Sequence, residues 1–154
     1  MKVGLKKLHE SEWLVQVGCA AVKMDRFSIA LLNITLQQLL ALEQGQAYSS
    51  LENYIKLALR IKTLKDVECQ TLLRALNNKD ILIFMMVAKD SELNAIIMKN
   101  SGGILAKQLT SDLANAPLPE RELLKQALRR IIETTFELEG LGQIEFTSAE
   151  TNYI

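Results

Sequence analysis

The chain has one histidine, His9, and it lies in the amino-terminal lead-in MKVGLKKLHESEW. An imidazole works as a base or metal ligand when cysteines or paired carboxylates stand at suitable spacing. His9 has none, so it reads as a surface residue. Ser101-Gly102-Gly103 has the small residues of a phosphate-binding turn, but it lacks the Gly-Lys-Ser/Thr pattern and a preceding strand, and reads as the start of a helix. Cys19 and Cys69 are too few for a disulfide framework or a zinc cluster. Both sit in apolar patterns that read as helical, which predicts buried free thiols. Lys125, Arg129 and Arg130 are offset by Glu133, Glu137 and Glu139, the pattern of a solvated helix surface rather than a nucleic-acid stripe. Met85, Met86 and Met98 read as core. No nucleophile, base and orienting group come together, so neither catalysis nor a cofactor is expected.

The elements that would carry these residues follow from composition. The 154 residues are 49% hydrophobic, with 18 acidic and 18 basic side chains. A core is therefore available without metal or disulfides, and no net field favours nucleic acid or an anionic membrane. The first residues lack the apolar core and cleavage site of a signal peptide. The longest apolar run, residues 81–88, is far short of the ~20 residues that span a bilayer. A cytoplasmic location is the expectation. Seven glycines and two prolines are few for the many turns of a strand-rich fold.

Helical spacing supports the same class. Cys69, Leu72, Leu73 and Leu76 share one face after Lys65-Asp66. The run Ile81–Met85 follows Asn78-Lys79-Asp80 and reads as a helix buried on most of its surface. Leu93, Ile96 and Ile97 follow Asp90-Ser91; Leu105, Leu109 and Leu113 follow the cap candidates Asn100-Ser101. Pro119 suits the first turn of a last helix, marked on one face by Leu124, Leu128, Ile131, Thr135 and Leu138 and ended by Gly140 or Gly142. Upstream, Trp13–Met24, Phe27–Leu42 and Tyr48–Ile61 read as three helices, the second broken by Gln44-Gly45-Gln46. The predicted fold is all-α, an armadillo-like array or bundle with short connections.

Residues 66–100, DVECQTLLRALNNKDILIFMMVAKDSELNAIIMKN, resemble the carboxy-terminal domain of the flagellar motor switch protein FliG. The family pattern runs D-R-S-I-Q-R-V-L-R-E-V, then an apolar L-A-L-A-L-K-G-A helix, then an ending I-x-K-N-M-S. Asp66, Gln70, Leu73, Arg74, Asp80, Leu93, Ile97, Lys99 and Asn100 stand in register with it. LAKQLTSDLANAPLP is similar to the next family helix, and RRIIETTFELEGLGQIEF to the final I-x-R-R-L-x-x-x-G-E-I-x-I. The resemblance implies a helical rotor domain that presents a charged helix to the stator. Here the family's basic position on that helix is Ile104, and its acid pair is Ser111-Asp112. The lysine of the L-K-G-A turn falls on Met86 or Val87, with Lys89 nearby. Arg121 replaces a further basic residue only by a local shift. No E-H-P-Q motif is present.

The resulting expectation divides the chain into an amino-terminal helical segment, 1–60, packing on or capping the array; a switch-like domain, 61–148; and a tail, 149–154. The function expected is protein–protein interaction without catalysis, through Ile104, Lys107, Ser111, Asp112 and Arg121. Partners would be flagellar rotor or switch components or a second copy of the chain, at the cytoplasmic face of the basal body. The alternative is a helical scaffold or adaptor of the same fold with no motor role. A small-molecule enzyme or regulator is the third class, and no convergent polar set supports it.

Overall fold

A computed structural model of the protein describes residues 1–41 and 49–146. The chain divides into two compact units, Met1–Asn53 and Tyr54–Ile154.

The first unit corrects the all-α expectation. It holds three strands, β1 (Val3–His9), β2 (Glu12–Val17) and β3 (Ala20–Asp25), in an antiparallel sheet of order β1-β2-β3. Trp13–Met24, expected as a helix, is instead β2, a turn and most of β3. Its pairing places Val17 opposite Ala20, so Gly18 and Cys19 form a two-residue hairpin turn. Gly18 has φ +62°, which a side-chain-bearing residue adopts at a cost. One glycine thus permits a whole hairpin, and alternating Trp13, Val15 and Val17 fit a strand better than a helix. Cys19 on that turn is exposed, contrary to the buried thiol expected; Cys69 is buried. Helix α1 (Arg26–Ala41) follows at once and packs on β2 and β3. Asp25 starts it by accepting the Ser28 N–H at 2.7 Å. The expected break at Gln44-Gly45-Gln46 lies outside the described residues.

Helix α2 (Ser50–Ala58) runs across the division and passes into a 3-10 turn, Leu59–Thr63. The second unit continues with α3 (Asp66–Ala75), α4 (Asn78–Ala88), α5 (Ser91–Asn100), α6 (Gly103–Asn115) and α7 (Arg121–Gly140). Start signals act as their chemistry requires: Asn77 Oδ1 accepts the Lys79 N–H, and Asp90 Oδ1 accepts the Leu93 N–H. Two expected starts differ. Pro119 lies before the N-cap Glu120 of α7, and α6 begins after Gly102 with no side-chain cap. Helix α7 ends in a Schellman motif, with Gly142 at φ +69° and the Gln143 N–H bonded to the Leu138 carbonyl.

The core of this unit is dense. Helix α4 packs on α7 and α6, and α3 packs on α5 and α7. Ile81, Phe84 and Met85 are buried, and no residue from Ile81 to Ala88 is fully exposed. Leu124, Leu128, Ile131, Thr135 and Leu138 all turn inward. The uninterrupted apolar run is therefore a helix with neighbours on several sides. A helix apolar nearly all round is stable only when so enclosed. Among the described residues, no helix is long and apolar enough to cross a membrane.

Candidate protein-interaction face

The residues singled out on α6 are placed by the inward stripe of the same helix. Leu109 is buried, with Leu105 and Leu113 half-buried four residues to either side. That fixes the roll of the helix. Ile104, Lys107 and Ser111, spaced three and four apart, then share the outer face. Ile104 is 87% exposed. Asp112 is half-buried toward the flank, and its backbone carbonyl accepts the Ala116 N–H at 2.7 Å. Arg121 is exposed but belongs to α7, beyond the Ala116–Glu120 connection. The structure therefore brings together three of the five expected residues.

What aims α6 lies on neighbouring helices, and residue types alone did not reveal it. Asn100, at the end of α5, is buried. Its amide donates to Asp66 Oδ1 at 3.2 Å and to the Ile96 carbonyl at 3.0 Å, and its oxygen accepts from Gln70 at 3.2 Å. Lys99 pairs with Asp66 at 2.7 Å. Lys99, and then the Asn100 amide, hold the Asp66 carboxyl below its ordinary range. The cluster pins the end of α5 to the start of α3, just before the Ser101-Gly102 turn that launches α6. Asp66, Gln70, Lys99 and Asn100 are all register positions of the resemblance, which was the one sequence signal for them.

A second tie involves Asp80. Arg130 grips its buried carboxylate with two hydrogen bonds, Nε–Oδ2 at 2.8 Å and Nη2–Oδ1 at 2.7 Å, locking α4 to α7. This corrects the reading of Lys125, Arg129 and Arg130 as uniform solvated surface. Arg129 does pair along the helix with Glu133, but Arg130 is a structural clamp.

Beside the turn into α6 lies an open cleft of about 410 Å³, lined in part by Arg74, Asn78, Lys99, Asn100, Ser101 and Leu105. Its lining carries two cations and several amides but no histidine, cysteine or carboxylate. Cys69, the buried thiol, is pushed up to about 11, chiefly by burial and further by Asp66, which keeps it protonated and unreactive.

Clamped helices carrying one aimed, exposed helix face make a helical interaction domain, with no assembled reaction centre among the described residues. The chain belongs to the family described as the FliG C-terminal domain, whose pattern matches residues 43–146. No curated protein matches the chain. The family match begins upstream of Asp66, where the resemblance was first legible, and ends at Phe146. There Ile144 is buried, the Glu145 N–H is held by Glu68, and the Phe146 ring lies 4.6 Å from the Arg60 guanidinium.

Proposed function

We propose that the chain is a non-catalytic component of the flagellar-switch type that works by stable docking of α6 against a protein partner. The observation that carries this reading is the near-complete exposure of Ile104 on a face fixed by Leu109. The resemblance assigns a basic residue to that position and an acid pair where Ser111 and Asp112 stand. Charges facing each other across a solvated gap contribute little per pair and are screened by salt, which suits a sliding contact. An exposed apolar side chain is stabilised instead by being covered. The helix retains Lys107 and Asp112 but has lost most of the torque pattern, so it holds rather than slides. The array is read as armadillo-like, and the partner as a rotor or switch component at the cytoplasmic face of the basal body.

The test is to graft residues 60–146 into a flagellar rotor protein in place of its own carboxy-terminal domain. Cells that assemble flagella without rotating them would support stable docking. Normal rotation would overturn it, because the missing charges would then be dispensable.

A further inference from the structure

The turn Ser101-Gly102-Gly103 does more than start α6. Gly102 has φ −60° and ψ 152°, a backbone conformation open to any residue. A Cβ at Gly102 or Gly103 would meet nothing within 4 Å, so neither backbone geometry nor packing within the chain calls for glycine. What the glycines leave is bare backbone at a helix start. No side chain caps α6, and its first bonded amide is that of Ala106, to the Gly102 carbonyl at 2.9 Å. The N–H groups of Gly103, Ile104 and Leu105 are thus left without an acceptor. Two further features adjoin this helix start in the cleft. The Ser101 hydroxyl oxygen, at the cleft wall, is closed from solvent and has no hydrogen-bond partner. A buried hydroxyl left unpaired carries a desolvation cost, which an acceptor oxygen seated in the cleft would relieve. On the α3 side, Arg74 is exposed and, among the described residues, makes no ion pair or hydrogen bond. Arg74 also offsets the negative end of α3 from its last turn, but that role leaves its five N–H donors unused. Lys99 is paired with Asp66, and no carboxylate lines the cleft.

We propose that the cleft between α3, α5 and the start of α6 binds the phosphate group of a small organic phosphate ester. The donors are of three kinds: the bare amides at the positive end of α6, the Ser101 hydroxyl and the planar fork of Arg74. A phosphate presents three terminal oxygens to such a set, whereas a carboxylate presents two. The Asn78 side-chain amide, also on the lining, can donate to the same oxygens. Size and wall composition assign the rest of the ligand. The cleft is about 410 Å³, more than a lone phosphate fills and within the ~300–1,000 Å³ of small-ligand sites. Leu73, Leu76 and Leu105 supply an apolar wall for an organic body beside the phosphate. The inference rests on this corner of the helical unit and stands whether or not α6 docks on a protein.

The experiment is a titration of the nitrogen-15-labelled full chain, followed by amide chemical shifts at constant ionic strength and neutral pH. The probes are phenyl phosphate, inorganic phosphate and benzoate. Phenyl phosphate should bind tightest and move the amides of Gly102, Gly103, Ile104 and Leu105. Arg74→Gln should weaken it roughly tenfold, the loss of one charge-assisted pair of hydrogen bonds. Lys125→Gln, on α7 and off the cleft lining, should leave it unchanged. Gly102→Val places carbons over the bare backbone, where nothing in the chain obstructs them. It should abolish the shifts while the melting temperature stays that of wild type, which separates a blocked site from a damaged fold. Several results overturn the proposal. These are no saturable shifts at the start of α6, equal binding by Arg74→Gln, and benzoate binding as tightly as phenyl phosphate. Inorganic phosphate binding as tightly as phenyl phosphate overturns the assignment to an organic ester.

Discussion

Asp90 shows how much one side chain can hold. Its Oδ1 accepts the Leu93 N–H at 2.8 Å as the N-cap of α5, and its Oδ2 takes the Lys62 ammonium at 2.9 Å. The cap bond first, and Lys62 second, lower its pKa below the ordinary carboxylate value. A carboxyl depressed on folding stabilises the protein above its unfolded pKa of ~3.9, and that contribution fades as pH falls through the folded value. Asp90→Asn keeps a capping oxygen but cannot titrate. The variant should melt below wild type near pH 6, and the gap should narrow steadily below about pH 4. Melting curves from pH 7 to pH 2 check this, and a gap that stays constant or widens in acid would refute the linkage.

At the scale of elements, α4 is the member whose loss the helical unit can least absorb. It packs on both α6 and α7, Phe84 is 1% exposed, and Arg130 clamps its first turn through Asp80. Phe84→Ala should cost roughly 3–5 kcal/mol, the range for truncating a large buried aromatic whose site cannot collapse. Urea unfolding measures it. A loss below about 1 kcal/mol would mean that α4 is not enclosed as described. Helix α6 is the contrasting case, since Leu109 is its one fully buried residue. A helix held by so narrow a stripe gives its outer face freely to another molecule.

For the molecule as a whole, the two units differ in how completely each buries its apolar residues. In Tyr54–Ile154 the buried set runs from Leu57 to Ile144 and draws on every helix from α2 to α7. In Met1–Asn53 it is nearly absent among the described residues. Local opening free energies follow such differences in burial. Backbone amides of α3, α4 and α7 should therefore exchange with solvent slowest, and those of β1 and β3 much faster. Hydrogen exchange read by mass spectrometry tests this order. Strands protected as strongly as α4 in dilute solution would contradict the sparse burial of this unit.

The sequence by itself determined most of the second unit. Periodic leucines and isoleucines, cap residues such as Asp90 and a terminal glycine act over three or four residues, so their consequences are local and readable. The apolar run Ile81–Met85 was decided by the helices flanking it, and the family was legible from ordered matches beginning at Asp66. The sheet was missed because helix and strand compete closely in a short apolar stretch. One left-handed glycine at position 18 settles the matter only once β2 and β3 pair across it. Only the tertiary structure decided which polar residues are structural. Arg130 and Glu133 look alike as helix surface, but Arg130 meets Asp80 from fifty residues away. Asp66 and Asn100 likewise meet only when α3 and α5 pack. The roll of α6, and with it the exposure of Ile104, is set by where Leu109 finds its neighbours. These are contacts between residues distant in the chain, and no local pattern encodes them.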